Sequence, residues 1–70
     1  MEVTLYTLPT CGMCKLLKEQ LNRKKIVFKE VQDLNILEKK KIIHVPTLEI
    51  NGSLMNFKQA LKWIEEVTND

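Results

Sequence analysis

The apolar positions of the chain change period several times, and each change marks an element. "VTLYTL" (Val3 to Leu8) is a β-branched and aromatic run that Pro9 stops, which predicts a buried strand. Directly after it, Met13, Leu16, Leu17 and Leu21 recur at i, i+3, i+4 and i+8, while Lys15, Lys18, Glu19, Asn22 and Arg23 take the other face. That pattern predicts an amphipathic helix. "KIVFKEV" (Lys25 to Val31) reads as the next strand. Asn35, with Glu38 three residues on, has capping-box spacing and predicts a two-turn helix reaching about Lys41. "TLEI", Asn51-Gly52 and "SLM" give two short strands around a two-residue turn. A last helix starts near Asn56, with Phe57, Ala60, Leu61, Ile64 and Val67 as its apolar stripe and Asn56 with Gln59 as a second capping box.

The order is β-α-β-α-β-β-α. A helix between the first two strands makes them parallel, and a tight turn between the last two makes them antiparallel. An α/β architecture follows: a four-stranded mixed sheet with three helices, covered on both faces. No repeat, low-complexity tract or Gly/Ser linker divides the chain, so residues 1–70 are expected to form one domain, and a monomer.

Composition narrows the classes of function. No apolar run approaches the ~18 residues of a membrane span, and the first residues carry neither a basic region nor a small-residue cleavage site. The expectation is a soluble cytoplasmic protein with no membrane partner. Eleven Lys+Arg against nine Asp+Glu leave a net charge of +2, and the basic residues are scattered apart from Lys39, Lys40 and Lys41, a triplet suited to a solvated helix C-terminus. Four aromatic residues and no broad basic face argue against nucleic-acid binding.

Chemistry concentrates in "TCGMCK" (Thr10 to Lys15), which holds both cysteines of the chain. A zinc cage needs four ligands, and one CxxC with the single histidine, His44, cannot complete it. Metal shared across a dimer, or a bridged iron–sulfur cluster, stays open as an alternative. A structural disulfide across so short a loop constrains the unfolded chain little. Two buried, inert cysteines are the blandest reading. Position argues against it: a thiol at the first turn of a helix meets unpaired N–H groups and the positive end of the dipole, which favour thiolate. An interaction of ~1–2 kcal/mol, at ~1.4 kcal/mol per pKa unit, brings Cys11 from about 8.5 to near 7 or slightly above. Cys14, one turn on and in phase with Leu17 and Leu21, can reach back and close a small ring. Cys11 is then the exposed attacker and Cys14 the shielded resolver.

The stretches "LYTLPTCGMC" and "HVPTLEINGSL", with the element order, resemble the thioredoxin superfamily and, within it, small glutaredoxin-like proteins. The resemblance implies a thioredoxin-like fold and a dithiol–disulfide oxidoreductase that needs no cofactor. It also implies a cis bond before Pro46, close to the active-site sulfur, and a backbone at Val45 that hydrogen-bonds an extended substrate. Base rates alone favour trans. Thr10 and Met13 beside the cysteines complete the expected substrate-binding set, Met13 as an adaptable apolar contact.

The chain departs from the family pattern in ways that bear on recycling. Gly12-Met13 between the cysteines is neither Gly-Pro nor Pro-Tyr, and Thr10 stands where thioredoxins carry tryptophan. "TLPT" lacks the lysine, and "LMNFK" the Gly-Gly, that resemble a glutathione site. The expected partners are therefore disulfide-bearing protein substrates and a flavoprotein disulfide reductase, with glutathione a less favoured reductant. A metal or cluster carrier of the same fold is the alternative function. His44 is read as a solvated loop residue rather than a neighbour of the sulfurs, and Trp63 as packing.

Overall fold

The computed structural model describes residues 2–68; Met1, Asn69 and Asp70, at the ends of the expected 1–70 domain, lie outside the described residues. The elements are β1 (Val3–Tyr6), α1 (Gly12–Arg23), β2 (Lys29–Val31), α2 (Leu34–Lys39), β3 (Thr47–Ile50), β4 (Ser53–Met55) and α3 (Phe57–Thr68). The strands lie in the order β2-β1-β3-β4, with β1 parallel to β2 and antiparallel to β3, and β3 antiparallel to β4. This is the expected mixed sheet in the expected element order. No helix among the described residues is long and apolar enough to cross a membrane.

Alternation along the strands assigns the two faces of the sheet. Val3 pairs with Ile50 and Leu5 with Leu48, and these four point to one face, where Leu17 and Leu21 of α1 and Ala60 and Ile64 of α3 close the core. Each fully buried leucine or isoleucine there is worth roughly 1.5–3 kcal/mol of transfer free energy. Phe28, Phe57, Leu61 and Trp63 pack around the rim, so Trp63 serves packing. Tyr6 and Glu49 occupy the other face, and Lys40, just past the end of α2, is clamped to them there. The Tyr6 hydroxyl donates to Glu49 (2.5 Å), the Lys40 ammonium meets both Glu49 oxygens (3.1 and 3.2 Å), and it stands over the Tyr6 ring. One member of the lysine triplet, Lys40, is thus paired as well as solvent-exposed.

Several boundaries differ from the sequence expectation. The strand expected to reach Leu8 ends at Tyr6. The one expected over Lys25 to Val31 begins only at Lys29, because α1 ends in a Schellman closure: the Ile26 N–H bonds to the Leu21 carbonyl and the Lys25 N–H to that of Asn22. α2 is capped by Asp33, whose carboxylate accepts the Asn35 N–H (2.9 Å), so the expected cap at Asn35 is already inside the helix. α1 is rolled so that Cys14, Leu17 and Leu21 face inward, leaving Met13 and Leu16 about half exposed. Val67 is likewise exposed rather than part of the buried stripe of α3. The α3 capping box forms as expected, with Asn56 and Gln59 each accepting the other's backbone N–H (2.8 and 2.9 Å). In the hairpin, Asn51 (φ 48°) and Gly52 (φ 90°) both take positive φ, the requirement of a type I′ turn.

Lys25 and Lys41 end α1 and α2 in the left-handed region, at φ 58° and 57°. A side chain there costs roughly 1–2 kcal/mol, which glycine avoids while losing ~0.5–1 kcal/mol in the unfolded state. Lys25→Gly is therefore expected to raise the urea midpoint by the equivalent of up to about 1 kcal/mol. Lys24→Gly, one residue earlier at φ −88°, is expected to lower it.

Candidate functional site: the cysteine pair and its two flanks

The loop from Thr7 to Thr10 carries the chain from β1 to α1, and the Cys11 N–H bonds back to the Leu8 carbonyl (3.2 Å). Cys11 is the N-cap of α1. Its backbone is extended (φ −90°, ψ 111°) and its sulfur accepts the Cys14 N–H at 3.0 Å, the bond that serine or aspartate makes at other helix starts. The two cysteines are joined as a disulfide with Cα atoms 5.2 Å apart. Their surroundings differ: Cys14 is only 2% exposed and packs in line with Leu17 and Leu21, whereas Cys11 is half-buried at the rim.

Two depressions flank the pair. One, of about 250 Å³, contains both cysteines and Thr10 and is closed by a polar cluster. Thr7, 1% exposed, donates its hydroxyl to Glu30 (2.7 Å) and accepts from the Gln32 amide (3.0 Å), and Lys18 forms an ion pair with Glu30 (3.1 Å). The cluster ties three elements together at the sulfurs: Lys18 comes from α1, Glu30 from β2, and Thr7 from the end of β1. The Thr7 hydroxyl above all, against the opposing effect of burial and with lesser help from Lys18 and Gln32, lowers the Glu30 carboxyl from its ordinary value.

The other depression is a groove of about 730 Å³ with a mainly apolar lining. Met13, Pro46, Phe57 and Leu61 supply the apolar surface, and His44 and Lys58 are its ionisable residues. Val45 lies along it, and the Val45–Pro46 bond is cis. Of the expected substrate-binding residues, the structure brings Met13, Val45 and Pro46 together in this groove. Thr10 lies instead in the polar recess with the cysteines. His44 is exposed and belongs to the groove rather than to the recess, and its carbonyl accepts the Thr47 hydroxyl (2.7 Å).

Sequence reasoning missed Thr7, Lys18, Glu30 and Gln32 as a unit, since they are up to 25 positions apart and the pairing of Tyr6 with Val31 is what aligns them. It also missed Phe57, Lys58 and Leu61 as neighbours of the cysteine loop. The α3 stripe was visible, but the close packing of α1 against α3 that brings it there was not.

The order and pairing of the elements define a thioredoxin-like fold. Two solved structures share it: a point mutant of the thioredoxin-like protein BC3987 (TM-score 0.77, 21% identity, covering 97% of this chain and 95% of that one) and the structural genomics target XcR50 from X. campestris (TM-score 0.65, 24% identity, 91% and 96%). Within that fold the chain belongs to the glutaredoxin family, whose model matches residues 3–55, a span that includes both cysteines and Pro46. A comparison with curated proteins returns no match. Family and cysteine pair together place the protein among those with thiol redox chemistry.

The Glu30 cluster has a signed consequence for pH. A carboxyl lowered in the folded state contributes stability that is fully present above its ordinary value of 4.5 and is lost as pH falls through the lowered one. Glu49, lowered by the Tyr6 hydroxyl and then Lys40, adds to the same limb. Thermal melts between pH 7 and 2 are expected to show stability falling below about pH 4.5, with a shallower fall for Glu30→Gln, which itself costs under about 1 kcal/mol at neutral pH. An acid limb of unchanged slope in Glu30→Gln would remove this role.

Proposed function

We propose that the protein is a dithiol–disulfide oxidoreductase that reduces protein disulfides in the cytoplasm. The observation that carries this reading is the asymmetry of the pair: an accessible sulfur at a helix N-cap with a backbone N–H on it, and a buried sulfur bonded to it. In the reduced protein the same Cys14 N–H stabilises a Cys11 thiolate. That thiolate attacks one sulfur of the substrate disulfide, forming a mixed disulfide and expelling the other sulfur as a thiolate, which takes a proton from water. Cys14 then loses its proton and attacks the Cys11 sulfur, releasing the second substrate thiol. The substrate gains two electrons, and the Cys11–Cys14 disulfide is the oxidised product.

A flavoprotein disulfide reductase is the proposed source of the returning electrons. "TLPT" and "LMNFK" lack the features of the family's glutathione site, and the Asn56 and Gln59 N–H groups at the start of α3 are already taken by each other's side chains.

Two measurements test the scheme. After incubation with a disulfide-bonded protein, Cys14→Ser is expected to accumulate a covalent mixed disulfide by mass spectrometry, and Cys11→Ser neither to reduce nor to trap. Trapping by Cys11→Ser alone would reverse the roles, and trapping by neither would sink the exchange mechanism. A metal carrier would show no such asymmetry, because either change removes one ligand. In coupled assays, a thioredoxin-reductase system is expected to drive turnover that glutathione with its own reductase does not. Saturable, efficient turnover with glutathione would return the protein to conventional glutaredoxin behaviour.

A further inference from the structure

We propose that Lys15 and Lys58, on the two flanks of the disulfide, select a protein substrate whose reducible cysteine is flanked by carboxylates as well as by apolar side chains. The inference rests on the oxidoreductase reading above and adds the chemistry of the partner. Three observations carry it.

The first is volume and lining. A space of about 730 Å³ walled by Met13, Pro46, Phe57 and Leu61 holds several apolar side chains, and burying them is the main favourable contribution such a surface can make. Glutathione brings carboxylates but no apolar side chain, so it leaves this lining uncovered. The second is backbone. Neither the N–H nor the C=O of Val45 has a partner among the described residues, and the residue lies along the groove. An extended chain paired there, as the family resemblance implies, leaves alternate side chains facing the apolar wall.

The third is charge. The ionisable residues of the groove are His44 and Lys58, with no carboxylate among its lining residues. On the other flank Glu30 is the one carboxylate, and Lys18 neutralises it, so Lys15 is left uncompensated beside Cys14. Neither Lys15 nor Lys58 has an ion-pair partner among the described residues. Both stand in first turns that carry no acid, where a cation opposes the helix dipole and lowers helix stability. Placed there at a local cost, they make the field over the disulfide positive, which attracts a carboxylate-bearing segment and repels a basic one.

The test uses reduced wild-type protein in single-turnover mixing with synthetic peptide disulfides of equal length. One peptide has its cysteine flanked by leucine and two glutamates, the second has lysines for the glutamates, and the third has serine for the leucine. The acidic peptide is expected to react about three- to tenfold faster than the basic one at low salt, the ratio shrinking toward one at high salt. The serine peptide is expected to react more slowly than its leucine counterpart. Lys58→Glu is expected to erase or invert the acidic preference. Equal rates for the acidic and basic peptides, or an unchanged ratio in Lys58→Glu, would overturn the proposal. So would a concentration-dependent dimer that shields Lys58 from modification, since a second copy would then be the occupant. Hydroxyethyl disulfide, small and uncharged, separates the two readings: its reduction without peptide discrimination overturns the docking inference alone, and failure to reduce it overturns the oxidoreductase reading as well.

Discussion

The seating of α1 on the sheet is the contact on which everything near the cysteines depends. Leu17 and Leu21 are fully buried against Leu5 and Leu48, and Cys14 continues their line by one turn. The buried stripe of α1 begins in its first turn with 14 and runs on through 17 and 21, whereas residue 11 precedes the helix as its N-cap, on an extended backbone at the rim, and 13 stands to the side of the stripe. The inequality of the two sulfurs is therefore a by-product of core packing. No dedicated residue is needed to shield one thiol and expose the other; the apolar stripe does both.

Around that seat the disulfide has two unlike neighbourhoods. The recess toward β2 is polar and internally satisfied: Thr7, Glu30, Gln32 and Lys18 bond one another, and no buried side-chain polar atom is left without a partner among the described residues. A network of this kind fixes position more than it adds net stability, since each hydrogen bond replaces one with water. Here it fixes the start of the helix that carries the cysteines against the end of β1. The groove toward α3 is mainly apolar, and its backbone at Val45 is unpaired among the described residues. One flank holds the sulfurs in place, and the other is the one proposed to meet the partner.

What the sequence made legible was local or periodic. The hairpin followed from Asn51-Gly52, the α3 capping box from Asn56 and Gln59, and the strand–helix junction at Cys11 from Pro9 and the leucine spacing. The misreadings share a cause. Lys25 to Phe28 has strand-like composition, but tertiary closure of α1 through Ile26 and Leu21 claims it. Met13 and Leu16 fit an apolar stripe as well as Cys14 does, and only contact with the sheet decides which stripe is buried. Glu30 and Thr7 are unremarkable in sequence, and strand register alone makes them neighbours. The cis bond before Pro46 was legible through family resemblance and not through any local propensity.

The N-cap position of Cys11 also explains how a redox change can occur without disturbing so small a fold. The Cys14 N–H is an orphan donor of the first turn and needs an acceptor in either redox state. The Cys11 sulfur serves in the disulfide, and as a thiolate it is a stronger acceptor still. The ring closed between residues 11 and 14 lies within one helical turn, where α1 already constrains the backbone, so the covalent link removes little freedom that folding has not removed. Stability thus resides in the core and in clamps remote from the sulfurs, such as Lys40 on Glu49 and Tyr6 across the opposite face. That separation lets a chain of 70 residues spend its accessible turn on chemistry while the sheet and its two packed helices stay fixed.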